Sequence, residues 1–215
     1  MTTTTQFCRL FLCCVLLSAC THTPKSPQSK IDLPAQSIPS QSLPSQEQIQ
    51  KLTHWEVRAK VTVERRGEHY STAYLNWQQQ GDAYHIDITS PFGDDHLQIT
   101  SDGNNIQAIS TAADGSAKRY RIEDIDTFIL KLTGLKLPIQ QLQYWIKGAA
   151  DPKQTFTEAR YDDLQHLIAI DQQDWHIQWD RFTRHAQIEL PHKIKANQEK
   201  QGTLKVTVIV ADWKI

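Results

Sequence analysis

From Leu52 onward, apolar residues recur at every second position in short runs separated by polar turns. That period constrains the chain most, because only a strand points alternate side chains to opposite faces. Trp55, Val57, Ala59, Val61 and Val63 form the first run, which Arg65-Arg66-Gly67 closes. Residues 70–77 (YSTAYLNW) follow, up to a turn at Gly81-Asp82. Tyr84, Ile86 and Ile88 precede Ser90-Pro91, and Leu97 and Ile99 precede Asp102-Gly103-Asn104. Ile106 and Ala108 lead to Asp114-Gly115, a hairpin signal, and a short strand runs through Tyr120 and Ile122. Short strands at regular spacing predict an antiparallel meander.

The period then changes. Ile125, Phe128, Ile129 and Leu132 are at helical spacing with Gly134 as the stop. Pro138 suits a first turn, and Ile139, Leu142, Trp145 and Ile146 make one face before Gly148. Spacing alone favours two helices that cap a core; the alternative is that they line or gate a ligand space. Strands resume around Phe156, LIAI (167–170), Trp175 to Trp179, IELPHKI and LKVTVIVADWKI. Strands, two helices and more strands make an α+β class with one large antiparallel sheet. A sheet of this size must curl or split, and curling over two helices gives a half-open barrel.

The N-terminus reads as an address. Arg9 is the only charge before an apolar run, Leu10 to Leu17, of secretory-signal length. The run ends in Leu17-Ser18-Ala19-Cys20, the pattern of a lipoprotein signal: small residues let a peptidase reach the backbone, and Cys20 supplies a thiol for lipid attachment. Cys8, Cys13 and Cys14 leave with residues 1–19, so Cys20 is the single Cys of the mature chain and no disulfide is possible within it. Thr21 rather than Asp follows, which under the sorting rule of enterobacterial lipoproteins points to the outer membrane. Residues 20–45 comprise this Cys and a Pro/Ser/Gln-rich stretch that buries too little apolar surface to order itself, a tether with a reach of about 25–30 Å. Residues 46–215 are expected to form one domain.

A net charge of −1 gives no support for nucleic-acid binding. Nucleophile elbow, Gly-rich phosphate loop and zinc-type His pair are all missing from the sequence. His69, His85, His96, His166, His176, His185 and His192 read as solvated residues beside polar neighbours. Asp94-Asp95-His96 lacks the spaced oxygen ligands of a calcium loop and reads as a polar flank. The six Trp residues suit core packing, and equally a dry wall for fatty chains, which offer no hydrogen bonds.

Three stretches, NWQQQGDAYHIDITSPFG (76–93), KLTGLKLPIQQLQYWIKG (131–148) and DWKI (212–215), resemble the outer-membrane lipoprotein receptor family LolB, in order over roughly residues 50–215. The resemblance implies a half-open antiparallel β-barrel with a helical lid over a hydrophobic cavity, which turns the two helices from caps into a gate. It implies a receptor and not an enzyme, one that accepts lipoproteins from the periplasmic carrier LolA and places them in the inner leaflet of the outer membrane. The protein would be lipid-anchored, periplasm-facing and monomeric, with acyl chains of cargo as its ligands and no metal or cofactor. Trp77, Ile129, Leu132, Leu142, Trp145 and Ile146 are the expected wall of the acyl cavity. Family members carry an exposed apolar residue, usually Leu, before Gly at a protruding loop tip; here Pro91-Phe92-Gly93 takes that place and is the expected membrane-insertion loop. Two other readings stay open: a scaffolding lipoprotein with a filled core, and a lipid hydrolase whose Ser-His-Asp cluster assembles only in space.

Overall fold

The computed structural model describes residues 44–66, 68–198 and 204–215. The expected signal, Cys20 and nearly all of the tether lie outside the described residues. Helix α1 (Pro44–Lys51) opens the described region, followed by β1 (His54–Arg65), β2 (Glu68–Gln80), β3 (Ala83–Thr89), β4 (His96–Ser101), β5 (Ile106–Thr111) and β6 (Ala117–Ile122). Helices α2 (Ile125–Thr133) and α3 (Ile139–Trp145) come next, then β7 (Phe156–Tyr161), β8 (Leu167–Gln172), β9 (Trp175–His185), β10 (Ile188–Gln198) and β11 (Leu204–Lys214). All the strands join one open antiparallel sheet in the order β6-β5-β4-β3-β2-β1-β11-β10-β9-β8-β7. The meander therefore has two wings, joined at a seam where the first strand pairs with the last.

Alternation explains the faces. In β1, Trp55, Val57, Ala59 and Val63 are buried while His54, Arg58 and Lys60 are exposed. In β11, Leu204, Val206, Val208 and Val210 face the same core. The register shifts at the seam, where Arg58 pairs with Asp212 but Ala59 with Val210, so Ala211 is an extra residue. This bulge reverses the phase of β11. Trp213 consequently turns inward beside Val57, its ring 5.7 Å from that of Trp55. Asp212 turns out and accepts a hydrogen bond from Arg58 at 3.0 Å.

The helices are fixed by local hydrogen bonds. Asp124 caps α2 by accepting from the Thr127 amide at 2.7 Å, and Gly134 ends it. One oxygen of Asp126 accepts from the amides of Ile139 (2.9 Å) and Gln140 (3.3 Å), pinning the start of α3 to the first turn of α2. Pro138 is the N-cap of α3, one position before the expected first turn. Residues 146–151 after it are buried throughout. Gln172, wholly buried, organises them: its Oε1 accepts from Trp145 Nε1 (2.7 Å) and the Asp151 amide (3.0 Å), and its Nε2 donates to the Asp151 carbonyl (2.9 Å). Gly148, at φ 85°, passes so close to β10 that a Cβ there would lie 3.2 Å from Pro191 Cδ.

Helix α1 is an element that periodicity does not announce. It docks by two tethers: Gln46 Nε2 donates to the Gly148 carbonyl (3.0 Å), and Lys147 Nζ donates to the Leu52 carbonyl (2.9 Å) just beyond the helix. Burial, unrelieved by a carboxylate, pulls the Lys147 pKa down to about 8.

Candidate functional site: an apolar cavity and an exposed loop

Between the sheet and α2–α3 lies a cavity of about 220 Å³. Strands β1–β4 give it Val61, Val63, Leu75, Trp77, Ile86, Ile88, Leu97 and Ile99, and the far wing gives Trp175, Ala196 and Val206. The helical side adds Ile129 and Thr133 of α2, Leu135, Leu137 and Pro138 of the connection, and Ile139, Leu142 and Trp145 of α3. Ser71 and Thr133 are the polar side chains on this wall, and the Thr133 hydroxyl already donates to the Ile129 carbonyl at 2.7 Å. Such a surface offers almost nothing to a polar ligand and suits one that needs only dry contact.

Four of the six residues expected on the wall are there: Trp77, Ile129, Leu142 and Trp145. Leu132 is not. It is 42 % exposed, because α2 presents Ile129 and Thr133, four residues apart, and this leaves Leu130 and Leu132 toward solvent. Leu135, 5 % exposed, enters after the Gly134 turn and takes the place expected for Leu132. Ile146 is fully buried but off the wall; it begins the buried 146–151 segment behind α3. Trp145 serves both wall and core, since its indole donates to Gln172 and its carbonyl accepts from Trp179 Nε1 at 2.6 Å.

The β3–β4 connection carries Pro91, Phe92 and Gly93. It is a compact loop tied by Ser90, whose amide donates to the Asp95 carbonyl (2.9 Å) and whose hydroxyl accepts from the amides of Asp94 (3.0 Å) and Asp95 (3.2 Å). The Gly93 amide closes the turn on the Ser90 carbonyl, at φ 77°. Phe92 stands at this tip 88 % exposed, the most exposed of the large hydrophobic residues among the described ones.

Of the histidines expected in solvent, His166 is 8 % exposed and corrects that reading. It stacks on Phe182 (centroids 4.3 Å apart) while its two ring nitrogens bond Asp162 (2.8 Å) and Glu189 (2.6 Å). Burial pulls its pKa down, but the two carboxylates outweigh burial and leave it raised. On the outer face of the sheet, His85 and His96 each reach one oxygen of Asp87 at 2.9 Å. These are polar contacts of the scaffold, away from the apolar cavity. Among the described residues no cluster of three or more His, Cys, Asp or Glu has metal-binding geometry, and no helix is long and apolar enough to cross a membrane.

Comparisons agree with this architecture. A LolA superfamily protein of Nitrosomonas europaea shares the fold, with a TM-score of 0.51 and 8 % identity over 81 % of this chain and 94 % of that one. Proteins described as outer-membrane lipoprotein LolB are similar along the sequence: that of Cellvibrio japonicus is 28 % identical over 79 % of this chain and 82 % of its own length. The one from Aeromonas salmonicida is 28 % identical over 87 % and 88 %. The relative from Tolumonas auensis is 23 % identical but spans 98 % of this chain and 97 % of its own. Residues 53–213, from just before β1 to Trp213, match the family described as outer membrane lipoprotein LolB. With that match covering most of its length, the chain belongs to the LolB family.

Proposed function

We propose that this protein is the outer-membrane acceptor of lipoproteins: it takes them from the periplasmic carrier LolA into its apolar cavity and releases them into the inner leaflet of the outer membrane. The observation that carries the reading is the cavity wall, nearly free of hydrogen-bonding groups and built jointly by sheet and helices. Strands β4 and β9 are six positions apart in the sheet, roughly 29 Å if it were flat, yet Ile99 and Trp175 border the same cavity. This supports a sheet curled into a half barrel around the ligand, with α2 and α3 as its lid. Loading with acyl chains would move α2 and α3, as the lid, outward from this wall.

Energetics favour transfer from cavity to cavity. Each methylene exposed to water costs about 0.8 kcal/mol, so a diffusing acylated protein is not a workable intermediate. Direction then comes from rising affinity along carrier, receptor and bilayer. Lipid on Cys20 would hold the receptor at the membrane, facing the periplasm, and Phe92 would touch the leaflet beside it. The step uses no cofactor, and a monomer suffices for it. The deciding experiment mixes carrier loaded with labelled lipoprotein, this protein and liposomes. Cargo moving to this protein and then to lipid is the expected result; cargo that stays on the carrier refutes the proposal.

A further inference from the structure

Beside the apolar cavity, and sharing Leu137, Pro138 and Trp175 with its wall, is a polar recess of about 150 Å³. Gln141 of α3 and Gln173 and Gln198 of the far wing line it. The Gln141 Oε1 atom is shut off from solvent and has no hydrogen-bond partner among the described residues. A buried acceptor left without a donor costs stability, and a site that fills with ligand is one physical reason to keep it.

Resting on the acyl-cavity reading above, we infer that this recess is a subsite for the amide-bearing head of the acylated cysteine, with Gln141 Oε1, uncovered as α3 moves outward on loading, accepting a cargo amide N–H. An acylated cysteine joins its chains through a thioether-linked glycerol and an N-acyl amide, followed at once by the peptide. When the chains occupy the dry cavity, that junction must sit at its border, and the recess adjoins the border through three shared residues. The charge on the recess selects among lipids. Asp126 and Asp174 line it with Lys136 as the only cation, a setting that repels a phosphate and tolerates a neutral amide. Acyl chains alone do not distinguish cargo from the phospholipids that surround the receptor. An amide acceptor flanked by carboxylates disfavours the anionic heads among them.

The test uses the full-length chain in liposomes and a synthetic N-acyl, S-diacylglyceryl dipeptide carrying a diazirine on one acyl chain. Competitors are the same lipopeptide unlabelled and two versions with one or the other amide nitrogen methylated. Methylating the bonded amide should weaken competition about fivefold against the wild type, the worth of one hydrogen bond. Gln141→Leu should compete alike with and without that methyl group, while still cross-linking a diazirine fatty acid at Leu142 and Trp145. Gln141→Glu, which keeps an acceptor, should restore the methyl sensitivity, and Gln141→Met replaces Leu if branching disturbs α3. Equal methyl sensitivity in wild type and Gln141→Leu, or none in either, overturns the subsite but leaves the acyl cavity standing. Failure of the fatty acid to cross-link at the wall overturns the acyl cavity and the subsite together.

Discussion

Changing Phe92 to Glu separates receiving a lipoprotein from releasing it. The ring is 88 % exposed at the end of a loop whose hydrogen bonds run through Ser90 and the backbone, so the core loses nothing when it is replaced. Folding stability should stay within about 0.5 kcal/mol of wild type, and uptake from the carrier should be unchanged. Contact with the leaflet is another matter. Burying a phenyl group is worth about 1.5–3 kcal/mol, which Glu forfeits, and its charge adds a desolvation cost. Loss of the phenyl contact alone slows delivery about 10- to 150-fold if that contact is made in the rate-limiting step. The assay follows labelled cargo from carrier to receptor to liposome and times the two steps apart. Loaded receptor should accumulate with Phe92→Glu, whereas Phe92→Leu should run close to wild type. Delivery by Phe92→Glu at the normal rate refutes the leaflet role of the loop. Blocked uptake would instead show that the side chain belongs to the cavity or the core.

Four further outcomes are expected. Cys20→Ala should yield unacylated precursor by mass spectrometry, and a cleavable non-lipoprotein signal should release a soluble domain on membrane fractionation. Leu142→Gln, half-buried on the wall, should cut acyl-probe affinity about tenfold with at most about 2 kcal/mol lost from stability, read by titration beside a melt. Gln172→Leu strands the Trp145 indole and the Asp151 amide, each bonded to its Oε1, and should cost about 3–6 kcal/mol, lowering Tm by about 10–20 °C. His166→Gln should open a gap in Tm that is widest just below pH 6.5. The raised His166 pKa gives a stabilisation that is complete below its ordinary value and fades as pH rises through the raised one. Asp162 and Glu189, held low, contribute above the usual carboxylate range, so the gap should also close in acid.

Strand positions were legible because alternation is a local signal: Trp55 to Val63 and Leu204 to Val210 alternate cleanly, and β1 and β11 follow them. The pairing of those two strands was not legible, since no local pattern links residue 56 to residue 214. Helix α1 escaped notice because its sequence, PSQEQIQK, has one strongly apolar residue, Ile49, and docks instead through Gln46. On the helical side of the cavity, spacing located the stripe but missed its edge. Leu135, beyond the Gly134 stop, took the wall position that the helical pattern assigns to Leu132. His166 shows the same limit: its partners Phe182 and Glu189 are 16 and 23 residues away, and only the folded register brings them to it. The loop tip was readable because Pro91 and Gly93 act through their own backbone, whatever surrounds them.

The seam between β1 and β11 also governs how the protein can be made. Glu56 and Lys214 bond across it from 158 residues apart, and closing a chain of that length costs about 4–5 kcal/mol of entropy. Each wing is a ladder of neighbours and can begin to zip as soon as its own hairpins exist, but β1 has no second partner until the final residues arrive. A chain threaded across the inner membrane from its N-terminus would therefore wait, with Val57, Ala59 and Val63 beside an unpaired strand edge, until translocation ends. The seam is the last part of the sheet to form, the waiting intermediate is an aggregation hazard, and a chain cut at residue 204 would lose the seam.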